Sequence, residues 1–335
     1  MAKKKSQKRK KNSNKARHKS GFSALNKPKI PLGFINQLQI QFPEKSSIIR
    51  PALEELPVIS IRINSQKLKR ININKEDLLS QISDNGIQID DQVPWSGGLG
   101  YYVRYTNESD RPVFTKDPLH HAGMYYVQEA ASMTIAPLLI RALGEKFDKE
   151  EPLMIGDVCA APGGKSTHIS DLLSEHFPNA TLIANEFDGK RALALKDNIE
   201  RMGCSNIIQT SLDAREIALL NLRFDAIIID APCSGEGMFR KDLKSRTEWS
   251  PDKVHQLSKL QSEILDSAKQ VLKPDGIMIY STCTFNYFEN QSHFKGKEIE
   301  FVDSENDLIT DIRLDQAIQF APGISRSEGL FVTMI

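Results

Sequence analysis

The chain has 335 residues, 40% apolar and 26% charged, the balance of a globular protein of about two domains. No apolar run approaches the ~18 residues of a membrane span, and the N-terminus lacks the apolar segment of a secretory signal, so a cytoplasmic protein without membrane contact is expected. The net charge of +1 conceals +10 on residues 1–20 against −9 on the rest. Residues 1–27 therefore read as a disordered basic tail, since a block of like charge cannot bury enough apolar surface to offset its ordering entropy. Such an arm suits a polyanion such as RNA, because each phosphate it neutralises releases counterions. Four scattered cysteines (Cys159, Cys204, Cys233, Cys283) without a CxxC pair exclude a zinc ribbon and a disulfide scaffold, and no metal is expected.

Residues 28–118 read as a small α+β domain. Phe34, Ile35, Leu38 and Phe42 share one helix face, closed by Pro43. Val58-Ile59-Ser60-Ile61-Arg62-Ile63 alternates with period two, which places Ile59, Ile61 and Ile63 on one strand face. Asn74 is positioned to cap a short helix through Leu78, Leu79 and Ile82. Further strands are expected near Gly86–Ile89 and Leu99–Tyr105, separated by the turn-prone Trp95-Ser96-Gly97-Gly98. Trp95, Tyr101, Tyr102 and Tyr105 are able to stack on bases, but core packing is their expected role.

Over residues 119–335 apolar strands alternate with amphipathic helices, the texture of βαβ units and a parallel sheet. The strands expected are Leu153–Val158, Ala180–Ala184, Asn206–Gln209, Phe224–Ile229 and Ile277–Ser281, with a last one over Gly329–Ile335. Ile227-Ile228-Ile229 is a continuous apolar run, as in a strand covered on both faces. Asp188–Met202 reads as a helix stopped by Gly203, and Leu257–Leu272 as another, broken by Lys273-Pro274-Asp275-Gly276. No third domain is expected, and the protein is expected to be a monomer.

The chemistry concentrates at the ends of these strands. Asp157-Val158-Cys159-Ala160-Ala161-Pro162-Gly163-Gly164-Lys165-Ser166 joins a strand to a helix, and such a turn exposes backbone N–H groups to a ligand. A Walker A loop needs Gly where Cys159 stands, and a GxGxxG fingerprint is absent, which leaves a nucleoside cofactor without phosphates, such as S-adenosylmethionine. Glu186, at the next strand end, suits the ribose hydroxyls; Asp213 suits the adenine amino group, and Asp230 the methionine end.

Asp230-Ala231-Pro232-Cys233-Ser234-Gly235-Glu236-Gly237 and Ser281-Thr282-Cys283-Thr284 follow the fourth and fifth strands. Both thiols should face the crevice at the carboxyl ends of the strands, whereas Cys204 reads as a small buried apolar residue. A methyl-transfer enzyme needs a thiol above all for C5 of a pyrimidine, a poor nucleophile. Addition of a thiolate at C6 turns C5 into an enamine carbon, and Asp230 is placed to hydrogen-bond the N3 and N4 edge of the base. Spacing alone does not say which cysteine attacks.

Together with Asn185-Glu186-Phe187, these runs resemble the Nop/Sun family of RNA cytosine-5 methyltransferases, and within it the bacterial ribosomal RNA enzymes of the RsmF type. His121-Ala122-Gly123-Met124-Tyr125-Tyr126-Val127-Gln128-Glu129-Ala130 and Val93-Pro94-Trp95 extend the similarity over roughly residues 30–335. The resemblance implies a Rossmann-like S-adenosylmethionine-dependent methyltransferase sheet, with a smaller α+β N-terminal domain that binds RNA. It implies that Cys283 attacks C6, that Cys233 assists release of the methylated RNA, and that Lys165 and Asp230 orient the cytosine. Cys159, Ala160, Ala161, Pro162, Gly163, Gly164, Lys165, Glu186, Asp213 and Asp230 match the cofactor contacts.

The sequence departs from the family after Cys283, where Phe285-Asn286-Tyr287-Phe288-Glu289-Asn290 lacks the usual Pro-Glu-Glu. A stunted helix is expected there, since only the polar stretch Gln291–Glu298 precedes the next apolar segment. Longer members carry a C-terminal RNA-binding domain, for which the basic arm is a possible substitute. Arg240, Lys241, Lys244 and Arg246 are expected either to grip phosphates beside the target or to form a solvated loop. The reading is methylation of cytosine C5 in ribosomal RNA, with the 16S molecule implied by the resemblance; the alternatives are the same chemistry on tRNA and a noncatalytic ribosome-assembly factor. A nicotinamide dehydrogenase would give the two crevice thiols no task.

Overall fold

The computed structural model describes residues 27–303 and 316–335, so the basic tail lies, but for Lys27, outside the described residues. Twelve strands form two sheets among them. The smaller sheet is antiparallel, in the order β2-β3-β1-β4, from β1 (Ile59–Ile63), β2 (Ile89–Gln92), β3 (Gly100–Val103) and β4 (Tyr125–Val127). Its last strand comes from beyond residue 119. The larger sheet runs β10-β11-β12-β9-β8-β5-β6-β7. Its strands are β5 (Met154–Asp157), β6 (Thr181–Asn185), β7 (Ile207–Thr210), β8 (Phe224–Asp230), β9 (Leu272–Thr282), β10 (Glu298–Phe301), β11 (Gln316–Phe320) and β12 (Leu330–Met334).

The helices are α1 (Leu32–Gln41), α2 (Pro43–Ala52), α3 (Ser65–Ile71), α4 (Lys75–Asp84), α5 (Pro118–His121), α6 (Ile135–Gly144), α7 (Gly164–His176), α8 (Gly189–Met202), α9 (Leu243–Glu248) and α10 (Pro251–Val271). Pro43 closes α1 as expected and also opens α2, where its missing N–H costs nothing. Asn74 caps α4 by accepting from the Asp77 N–H, and Gly203 ends α8 in the left-handed conformation. The helix expected from Leu257 begins earlier, at Pro251, where Ser250 caps it. Lys273–Gly276 breaks α10 as expected but is looped out within β9, since Leu272 pairs with Phe224 and Ile277 already with Ala226.

The neighbours β9, β8, β5, β6 and β7 run parallel, and β12 enters antiparallel beside β9. The chain leaves β5 toward β6 and β7, then returns to the other side of β5 as β8. A crevice therefore opens at the carboxyl ends of β5 and β8, the topological switch point where open α/β sheets take ligands. Along β8, Ile228 packs into the face covered by α6 and α7, and Ile227 and Ile229 into the face covered by α10. Each such buried isoleucine contributes about 1.5–3 kcal/mol relative to exposure.

The alternation read at β1 holds for Ile59, Ile61 and Ile63, but the opposite face is buried too. Ser60 donates to the Gln128 carbonyl; Arg62 donates to Gln128 Oε1 and Thr167 Oγ1 at 2.8 Å each and lies 3.6 Å from Asp171. That polar face docks on α7 and fixes the small sheet beside the crevice. Trp95, Tyr101 and Tyr102 are buried, and the Tyr105 hydroxyl donates to the Pro57 carbonyl. These rings are packing groups, not a base platform.

Candidate active site

The loop after β5 reaches α7 through Gly163, whose φ of +105° a side chain would strain and where a Cβ would meet Leu195 at 3.0 Å. Arg191 and Asn198 of α8 hold the loop by donating to the carbonyls of Ala161 and Pro162, at 2.7 and 2.9 Å. Beneath it, Asp157 Oδ2 accepts from Ser166 Oγ at 2.6 Å, while Oδ1 is buried without a hydrogen-bond partner. Burial pushes the Asp157 carboxyl up to about 6.

Two cavities meet at this loop. The larger, about 850 Å³, is lined by Cys159, Ala161, Pro162, Lys165, Glu186, Asp213, Asp230, Cys233 and Cys283, so most of the expected site residues share one space. The smaller, about 260 Å³, takes Ala160 and Gly164 and shares Lys165 and Asp230. Gly163 lines neither and acts through the backbone turn. Met238, Leu330 and the α10 residues Leu260 and Ile264 complete the larger wall.

Glu186 is 5% exposed; Oε1 accepts from the Asp188 N–H, and Oε2 has no hydrogen bond, its nearest cation being Arg191 at 3.5 Å. A buried acceptor of this kind suits the vicinal hydroxyls of a ribose. Asp213 faces the same cavity but is already bound by the Arg215 guanidinium and N–H, and that hydrogen bond lowers its carboxyl pKa. Cys159 is an inward thiol, pushed up by burial. The cavity volume and the Glu186 carboxylate in its wall, with one oxygen lacking a hydrogen bond, fit a nucleoside cofactor without phosphates.

Lys165 Nζ donates to Asp230 Oδ2 at 2.7 Å, and Ser281 Oγ donates to Oδ1 at 2.8 Å. Burial pulls the Lys165 pKa down, but the Asp230 carboxylate and, more weakly, Cys283 outweigh it and leave the ammonium strengthened. Cys233 Sγ and Cys283 Sγ lie 3.1 Å apart, and the Cys283 N–H donates to Cys233 Sγ at 3.2 Å. The hydrogen bond with Cys283, aided by burial, pushes the Cys233 thiol well up.

Two buried carboxylates cross-brace the cysteine loops. Glu236, after Cys233, accepts from the Phe285 N–H at 3.1 Å and from Asn286 Nδ2 and Trp249 Nε1. Glu289, after Cys283, accepts from the Ser234 N–H at 2.9 Å and from Gln261 Nε2 at 3.0 Å. Gly237 has no room for a Cβ, which would lie 2.6 Å from Gly329. Burial raises the Glu289 carboxyl to about 7 from the ordinary 4.5, against the pull of Ser234 and Gln261. It thus binds its proton more tightly folded than unfolded, so its contribution to stability is full below 4.5 and is lost as pH rises through about 7. The melting temperature should fall more steeply across that window in the wild type than in Glu289→Gln, with Asp157 common to both. Parallel profiles would contradict this account.

The basic residues after Cys233 divide. Arg240 is buried, with its Nε 2.8 Å from Glu328 Oε2, and Arg246 donates to the carbonyls of Phe239 and Leu53 and to Glu54. Neither is a phosphate grip or part of a solvated loop, because their charges are matched inside the fold. Lys244 is exposed and pairs with Glu248, and Lys241 is exposed at the smaller cavity. The stunted helix after Cys283 is a single 3₁₀ turn, Gln291–His293. Among the described residues no group of three or more His, Cys, Asp or Glu is placed to hold a metal, and no helix is long and apolar enough to cross a membrane.

A mixed sheet of this order, with five neighbouring parallel strands, a cavity at its switch point and a small sheet docked beside it, is the Rossmann-like fold of S-adenosylmethionine-dependent methyltransferases. Solved structures share it: NSun6 from Pyrococcus horikoshii with SFG (TM-score 0.72, 20% identity, 91% of this chain and 97% of that one) and a methyltransferase homolog protein from the same organism (TM-score 0.66, 24% identity, 89% and 92%). The chain belongs to the RsmB/F family: residues 146–335 match the family described as 16S rRNA methyltransferase RsmB/F, and residues 30–130 match the N-terminal domain of 16S rRNA methyltransferase RsmF. Relatives named ribosomal RNA small subunit methyltransferase F include those of Shewanella amazonensis (37% identity over 288 residues, 83% of this chain and 57% of that protein) and Escherichia coli K12 (37% over 266 residues, 78% and 52%). The chain spans about half the length of these relatives.

Proposed function

We propose that this protein methylates C5 of a cytosine in ribosomal RNA, with Cys283 as the attacking thiol. The observation that carries the reading is the pair of thiols from two strand-end loops, 3.1 Å apart and sharing one cavity with the Lys165–Asp230 pair. S-Adenosylmethionine, held by the loop after β5 and by Glu186, supplies an electrophilic methyl group when bound.

The residues of the chain do the rest. Asp230, fixed by Lys165 and Ser281, holds the N3 and N4 edge of the base. Cys283 forms a bond from sulfur to C6, and the electron pair of the C5–C6 double bond shifts so that C5 becomes nucleophilic. After methylation the C5 proton passes to water in the cavity, its electron pair restores the C5–C6 double bond, and the sulfur–C6 bond breaks with its pair leaving on Cys283. Cys233, a protonated thiol beside that sulfur, assists the release. A base within a helix must leave its stack to reach Cys283, so an unpaired or flipped nucleotide is the expected substrate. The basic arm is a second, sequence-independent contact.

The test uses the protein with methyl-labelled cofactor and, in parallel, 16S ribosomal RNA, assembled small subunits and tRNA, followed by digestion to nucleosides. Label in 5-methylcytidine from ribosomal RNA is expected. Label in another nucleoside, or only in tRNA, would contradict the reading.

A further inference from the structure

Tyr287 and Phe288 follow the Cys283 loop, in the stretch that departs from the family pattern, and remain 49% and 44% exposed. Their backbone is held in place: the Tyr287 N–H donates to Gln41 Oε1 at 3.0 Å, and the Phe288 carbonyl accepts from Ser258 and Ser292 at 2.6 and 2.7 Å. The two rings meet edge to face at 5.7 Å, and Phe288 packs on His255 at 4.8 Å. Tyr287 also flanks an open groove of about 460 Å³ that includes Gln41, Phe42, Gln291 and exposed Lys295. In its walls Gln41 Nε2 and Gln291 Oε1, a donor and an acceptor, have no hydrogen-bond partner.

We propose that this surface receives an unpaired nucleotide of the substrate RNA, with a base stacked on the exposed Tyr287–Phe288 pair and the backbone led along the groove that Tyr287 flanks. The proposal rests on the RNA reading above and deepens it. Exposed aromatic faces next to a cation are how single strands are gripped, because every base has a π-face and every linkage a phosphate for a residue such as Lys295. The two rings follow Cys283 by only four and five residues on one loop, which favours RNA over a protein partner. Rigid aromatics here set which unpaired segment enters with the cytosine.

The test measures dissociation constants for a single-stranded ribosomal RNA fragment that the wild type methylates. Stacking contributes about 1–3 kcal/mol per base, so Tyr287→Ala with Phe288→Ala should weaken RNA binding roughly 5- to 150-fold. S-Adenosylmethionine affinity by calorimetry should not change, and Tyr287→Phe with Phe288→Tyr should bind RNA like the wild type. If the alanine pair does not fold, Phe288→Trp serves, and its emission should be quenched by RNA. RNA affinity unmoved by the alanines, or a tryptophan blind to RNA, would overturn the platform while wild-type methylation still stood. A wild type that binds no RNA would overturn the functional reading itself.

Discussion

Cys283→Ala should lower methylation by at least about 10⁴-fold, the scale on which loss of an essential nucleophile is felt. C5 of a pyrimidine has little nucleophilicity until sulfur has added at C6, so the step stops when the attacking thiol is removed. The substitution removes only a half-buried sulfur. The Cys283 carbonyl still accepts from the Gly237 N–H at 2.9 Å, and Glu236 and Glu289 still brace both loops. Cofactor binding by calorimetry should therefore persist, which separates a chemical defect from a collapsed pocket. Activity near that of the wild type would remove Cys283 from the mechanism.

Cys233→Ala should do something different: a covalent protein–RNA complex should accumulate. Cys233 Sγ touches the Cys283 sulfur and accepts from its N–H, and its thiol is held protonated by that contact and by burial. It is thus a proton-bearing group beside the bond that must break, a role worth typically 10²–10⁴-fold in rate. Without it, addition at C6 proceeds and elimination lags. A denaturing gel should show a slower protein band that depends on RNA and disappears with nuclease. Unimpaired turnover without that band would contradict the release role.

How much of this was legible in the sequence depends on the distance between the partners. The loop at Asp157–Ser166, the strand-end acids and the two cysteine motifs lie within short runs whose spacing alone places them at one sheet edge, and the structure brings them to one cavity. Arg240 and Arg246 were misread because their partners Glu328 and Glu54 are 88 and 192 residues away. A charge surrounded by polar neighbours looks solvated until the fold supplies its counterion. The same holds for Arg62, on the strand face opposite Ile61, which α7 covers. Glu236 sits inside the Cys233 motif with no role that spacing predicts, and neither its bond to the Phe285 N–H nor that of Glu289 to Ser234 has a periodic signal. Asp213 was placed correctly at a strand end, but its bidentate engagement by Arg215 depends on side-chain geometry. The parallel pair β10 and β11 was not among the expected strands: Glu298–Phe301 does alternate charge with apolar residues, but only over four residues directly after a polar stretch.

The central claim is that the Cys283 sulfur bonds to C6 of a cytosine, and mass spectrometry of the complex trapped in Cys233→Ala tests it most directly. After protease and nuclease digestion, the nucleotide mass should reside on the peptide that contains Cys283. The same mass on the peptide of Cys159, or a trapped complex with every cysteine unmodified, would contradict the account.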